Sequence, residues 1–115
     1  MNKILYEDFK KLEIKIGKIE GAQRVEGSEK LLKLQVDLGE ETRQIVAGIG
    51  LQYGVEELTG RQIVVVANLE PKSLMGLESQ GMLLAADTPD GPILLMPDDA
   101  HLPKGRETPV GTKIR

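Results

Sequence analysis

From Leu12 onward the apolar residues of this chain fall on every second position, and that spacing constrains the fold more than any other feature. Leu12, Ile14 and Ile16 alternate with Glu13, Lys15 and Gly17, and Leu32, Leu34, Val36 and Leu38 alternate with Leu31, Lys33, Gln35 and Asp37. A period of two sends successive side chains to opposite faces, so both segments are expected to be strands with one buried face. Gln62 to Ala67 and Met82 to Ala86 are nearly continuous apolar runs, as suits strands buried on both faces or closing a barrel. Shorter strands are expected at Ile93 to Met96 and at Thr112 to Arg115. Helical signal is confined to Tyr6 to Leu12, whose thin stripe of Phe9 and Leu12 would plug one end of the core, and to Gln52 to Leu58 ahead of Gly60. About six short strands with two scraps of helix point to a small all-β barrel, not a parallel α/β sheet.

The connections carry their own signals. Gly17 inside the first strand predicts either a bulge, such as small barrels use to turn a corner, or a plain irregularity. Gly21 to Lys30 reads as an exposed loop, and Leu31–Leu38 and Thr42–Ala47 form a hairpin. A three-residue turn would set Asp37 opposite Arg43 and Leu34 opposite Val46, matching polar with polar. A two-residue turn would set Val36 beside Arg43, so the longer turn is expected. Between the two apolar runs, Asn68 to Gly81 makes a polar elbow in which Pro71, Gly76 and Gly81 bar a long regular element. Asn68 can tie down the turn or present its amide to a ligand, and Ser79 divides in the same way. Met82 can pack in the core or contact an unstacked base.

At 115 residues the chain is the size of one domain with a core that needs no staples. It has no cysteine, which excludes disulfides, thiolate metal sites and cysteine nucleophiles and suits the cytoplasm. No apolar run approaches the roughly 18 residues of a membrane helix, and the start MNKILYEDFKK lacks the apolar stretch of a signal peptide. A soluble protein with no membrane contact is expected. The net charge of −3 argues against indiscriminate binding of polyanions, yet a local basic face can still be assembled from Lys15, Lys33, Arg43 and Lys72.

Catalytic readings fare poorly. Ser79, Asp87 and His101 stand in the order of a serine hydrolase triad, but the sequence Gly76-Leu77-Glu78-Ser79-Gln80-Gly81 is one residue too long for G-x-S-x-G. Asp98 and Asp99 lack the spaced oxygen ligands of a cation loop. Gly48-Ile49-Gly50 has no Lys-Ser/Thr partner and no following long helix, so no nucleotide cradle is expected. No cofactor, no metal and no catalytic residue is assigned.

Small Greek-key barrels of the OB type bind nucleic acid on their second and third strands and the adjoining loops. Here that face would be the hairpin, with Lys33, Gln35 and Arg43 projecting from it and Lys30 at its rim. The strings VDLGEETRQIVAGI and IVVVANLEPKSLMGLESQGMLLAA, with N-L-x-P at Asn68 to Pro71 and G-x-x-S-x-G-M at Gly76 to Met82, carry a likeness that runs from Phe9 to the closing PKGRETPVGTKI. They resemble the tRNA-binding domain attached to methionyl-tRNA synthetases and found free as small dimeric proteins, and more distantly the CsaA-type export chaperones. The resemblance implies a five-stranded OB barrel that recognises folded tRNA without catalysis. It implies one domain over 1–115, in which 88–115 is a carboxy-terminal dimerisation extension, and a methionyl-tRNA synthetase catalytic subunit as a further partner. The matching positions are Lys30, Arg43, Asn68, Lys72, Ser79 and Met82, beside Lys33 from the hairpin face. The chain departs from many relatives at Val25 to Glu29, where they write His-Pro-x-Ala-Asp, and at Glu70 and Ser73, where Lys or Arg is frequent. A CsaA-like protein-binding module is the alternative.

Overall fold

In the computed structural model, which describes residues 1–115, a single-turn helix α1 (Tyr6–Phe9) precedes a meander of β1 (Ile14–Arg24), β2 (Leu32–Asp37) and β3 (Thr42–Ala47). A short 3-10 turn (Val55–Glu57) leads into β4 (Gln62–Val66), and the elbow folds as a small hairpin of β5 (Lys72–Leu74) and β6 (Leu77–Ser79). β7 (Met82–Leu83), β8 (Ala85–Thr88) and β9 (Gly91–Leu94) follow. Five strands form one antiparallel sheet in the order β3-β2-β1-β4-β7, while β5-β6 and β8-β9 pair separately. No helix is long and apolar enough to cross a membrane.

The sheet curls until its edge strands β3 and β7 approach each other, and side-chain bonds with a single backbone bond, from Ser79 and Gln80 just ahead of β7, close the gap in place of a ladder. The Ser79 hydroxyl accepts from the Val46 amide at 3.0 Å, and the Gln80 side-chain oxygen accepts from the Gln44 amide at 3.0 Å. The Gln80 amide in turn donates to the Gln44 carbonyl at 2.8 Å. The result is a nearly closed five-stranded antiparallel barrel of the OB type. Its core joins the alternating Leu32, Leu34 and Val36 expected from the sequence to Ile63 and Val65 of the apolar run and to Ile45, which the expected register would have turned outward; all six are fully buried. Burying each such side chain stabilises the fold by about 1.5–3 kcal/mol.

Several local expectations are corrected. The β2–β3 turn holds two residues, so Val36 lies opposite Arg43 and Leu34 opposite Ile45. Gly39, with φ +96°, takes the left-handed position at the start of this turn, and its amide donates to the Asp37 carboxylate at 2.8 Å. The bulge in β1 falls between Ile19 and Gly21, not at Gly17. Gly17 is required for close packing instead, since a Cβ there would stand 2.7 Å from Val36 Cγ1. β1 also continues to Arg24 through residues expected to be loop. Helix α1 buries nothing, so Phe9 and Leu12 do not plug the core as expected, whereas Leu58, behind the 3-10 turn, is fully buried within it. The run Met82 to Ala86 breaks into β7 and β8.

The tail is a backbone strip laid along β1 in place of a named strand. Gly111 N and Ile114 N donate to Ile16 O and Ile14 O, each at 2.8 Å, and Ile16 N returns a bond to Thr112 O at 2.9 Å. β2 pairs with β1 only from Lys18 onward, so the tail satisfies backbone groups that β2 leaves open.

Candidate functional site

The two-residue turn decides what Arg43 can do. Its side chain leaves β3 on the face that carries Leu34 and Ile45, at the mouth of the barrel, and retains 26% exposure. There Nη1 donates to the Ala67 carbonyl and, at 3.1 Å, to the Gln80 carbonyl, while Nε donates to the Glu41 carboxylate. The hydrogen bond and charge of Arg43 hold the Glu41 carboxyl below its usual range, with a smaller contribution from Lys15. Arg43 thus ties β3 to the end of β4 and to the turn before β7. The open pocket beside it, about 460 Å³, is also lined by Glu41 and Glu70, whose charges repel phosphate.

Asn68 and Ser79 are likewise bound into the fold. The Asn68 carbonyl oxygen accepts from Glu13 N at 2.7 Å, and its amide donates to Lys11 O at 2.6 Å, fastening the entry of β1 to the exit of β4. Ser79 is 4% exposed, and besides accepting from Val46 N its hydroxyl donates to Gly81 O at 3.0 Å. That hydroxyl touches no imidazole. His101 is exposed and pairs with Asp98 at 3.2 Å.

The remaining candidates are free. Lys30, Lys33 and Lys72 make no side-chain hydrogen bond or ion pair, although the Lys30 stem covers Gly48. Lys33 stands on the outer face of β2 opposite Val46, on the side away from Arg43. Met82 is 49% exposed and lines a pocket of about 500 Å³ with Val46, Leu69, Lys72 and Leu74. The β5–β6 hairpin lies over β3, with Gln44 Nε2 donating to Glu78 O at 3.0 Å. The candidates therefore do not share one cavity: Lys72 and Met82 line one pocket, Lys33 another, and Arg43 and Asn68 a third.

Sequence reasoning missed the elbow hairpin and its tip, Met75. The available signal was a residue pair before Leu77 ending in glycine, Met75-Gly76, between segments able to pair. It also missed Arg24, whose Nη1 donates to Gly50 O at 2.8 Å across the barrel end.

Comparisons with known proteins converge on this same barrel. Residues 14–107 match the family described as "Putative tRNA binding domain". The chain is 52% identical over 112 residues to a methionine–tRNA ligase of Methanothrix thermoacetophila, an alignment that covers 97% of this chain and 16% of the ligase. It therefore spans about one sixth of the length of that relative. Among solved structures, a MetRS-related protein from Pyrococcus horikoshii superposes with a TM-score of 0.84 at 39% identity, covering 100% of both chains. The chaperone CsaA of Bacillus anthracis superposes with a TM-score of 0.84 at 32% identity, covering 99% of this chain and 100% of the chaperone.

Proposed function

The chain belongs to the tRNA-binding-domain family found as the carboxy-terminal region of methionyl-tRNA synthetases, and from that premise we propose that it is a structure-selective tRNA-binding module that raises a synthetase's hold on its tRNA. The observation that carries this reading is the family match over 14–107, which takes in the whole barrel and the elbow. The three free lysines Lys30, Lys33 and Lys72 support it, since they lie outside the barrel where a phosphate backbone can run. Arg43, Asn68 and Ser79 serve mainly to hold that surface in shape.

The module acts without catalysis, in the cytoplasm, as a separate subunit, a domain or a free relative of the synthetase. Joining a weak tRNA contact to a catalytic body makes the second contact intramolecular and tightens the whole by roughly 10² or more where the geometry permits. Pairing as a homodimer through residues 88–115 belongs to the same reading. It is supported by the exposed Ile93, Leu95, Met96 and Leu102, an apolar set that a solitary chain leaves in water.

A second reading, a CsaA-like module that holds polypeptide, is favoured by one feature: an apolar cleft of about 400 Å³ lined chiefly by Val46, Ala47, Ile49, Leu83, Leu84 and Ala85. Competition separates the two. Labelled folded tRNA is expected to be displaced by unlabelled folded tRNA, and poorly by heat-unfolded RNA or duplex DNA of equal length. Equal competition by all three would remove shape recognition, and no retention of tRNA at low salt would leave the protein-binding reading.

A further inference from the structure

The loop joining β5 to β6 consists of Met75 and Gly76, with φ of +49° and +79°, and Leu74 pairs directly with Leu77 across it. Two central residues at positive φ make the type I′ geometry, which glycine and asparagine enter readily and a long side chain enters only with strain. Met75 is the one non-glycine residue of the chain at positive φ. Little packing offsets the strain. The side chain is 58% exposed, and its methyl group stands above Gly27, 3.4 Å from where a Cβ would lie. A strained residue whose side chain is presented to solvent is a candidate for contact with a ligand.

Behind Met75 the hairpin tip and the β1–β2 connection enclose a cleft of about 260 Å³ lined by Arg24, Val25, Glu26, Lys33, Met75 and Leu77. Neither cation pairs with a carboxylate: Arg24 is held by the carbonyls of Glu29 and Gly50, and Lys33 is free. No aromatic residue reaches this cleft. Tyr6 and Phe9 stack on each other in α1, and Tyr53 sits against Arg61 with its hydroxyl accepting from Leu94 N. The polarizable apolar surface available to a flat ring here is Met75 with Leu77.

Building on the tRNA-binding reading, we infer that this cleft, separate from the pocket that Met82 lines, receives one unstacked nucleobase of the bound RNA. Met75 and Leu77 cover the face of the base, Lys33 and Arg24 lie against its phosphate, and Glu26 supplies an acceptor for an exocyclic amino group. An apolar wall flanked by two cations matches a nucleotide better than an apolar peptide side chain, which would leave both charges unmatched.

The test compares wild type, Met75→Asn and Met75→Leu in the full chain, by thermal unfolding, by affinity for folded tRNA and by chemical probing of single tRNA bases. Asparagine tolerates the left-handed conformation, so Met75→Asn is expected to unfold at or above the wild-type temperature. It should bind tRNA about three- to tenfold more weakly, the loss that follows when a sulfur–ring contact disappears. One unpaired base protected by wild type should become reactive, and Met75→Leu, which restores an apolar wall, should recover most of the affinity and the protection. Lys33→Gln is expected to expose the same base, which keeps the inference testable should the Asn variant fold poorly. Wild-type affinity and an unchanged footprint in both Met75→Asn and Lys33→Gln would overturn it while leaving the tRNA-binding reading intact. A wild-type protein that retains no tRNA would end both.

Discussion

The ion pair of Arg43 with Glu41 shows how much a single residue's facing decides. Matching polar residues across the hairpin favours Asp37 opposite Arg43, and that argument fails because an arginine on the inner face of a barrel mouth can still reach carbonyl groups. Arg43 finds Ala67 O and Gln80 O, so its charge is not stranded. Asn68 and Ser79 were ambiguous for a similar reason: a polar residue after a buried strand looks the same whether it faces a ligand or a distant backbone. Their partners, Glu13 and Lys11 for Asn68 and Val46 for Ser79, lie 33 to 57 positions away in the chain. The coupling of Glu41 to Arg43 has a defined pH signature. The Glu41 carboxyl titrates below the usual 4.5 in the folded protein. Its contribution to stability is therefore fully present above that value and is lost as pH falls through the lowered one. Urea unfolding of wild type and Glu41→Gln should show wild type more stable at pH 7, with the difference diminishing as pH falls below 4.5 and shrinking in high salt. A difference that persists undiminished at low pH would mean that the pair is not electrostatic.

Among the elements, the strands of the barrel were legible because their apolar residues follow the period of the pleat, and β2 and β4 fall within a residue or two of their expected limits. What local pattern could not place were the features set by contact between distant segments. The bulge after Ile19 and the glycine at position 17 belong to different problems, one of twist and one of clearance from Val36. The tail is the clearest case: a strand was expected at Thr112 to Arg115, but not that Gly111 to Ile114 would lie antiparallel along β1, meeting it in a bridge between Lys15 and Lys113. Gly111 sits at φ +88°, and a Cβ on it would fall 2.7 Å from the Leu38 carbonyl. Gly111→Ala is expected to lower stability by about 1–3 kcal/mol. The Ile114 amide, bonded to Ile14 O, should lose protection from hydrogen exchange while the amides shared by β2 and β3 keep theirs. Unchanged protection at Ile114 would show that the strip is held by other contacts.

At the scale of the whole molecule, an acidic protein is asked to bind a polyanion, and the distribution of charge resolves the conflict. Eighteen acidic residues outnumber fifteen basic ones, but the cations that line the two sides of the elbow hairpin, Lys33, Arg24 and Lys72, have no carboxylate partner. The OB barrel and the family were legible from strand spacing and from the elbow motif. The β5–β6 hairpin that separates the candidate residues was not, because a three-residue strand leaves too little periodicity to read. The most direct measurement of the central claim is the affinity for folded tRNA as a function of salt, for wild type, Lys33→Ala and Arg43→Ala. A binding surface that neutralises several phosphates gives a linear fall of log affinity with log salt, steeper by about 0.7–0.9 for each phosphate contact. The expected result is such a line for wild type, a slope reduced by about one contact in Lys33→Ala, and an unchanged slope in a less stable Arg43→Ala. A flat wild-type line, or a slope lost in Arg43→Ala and kept in Lys33→Ala, would contradict it.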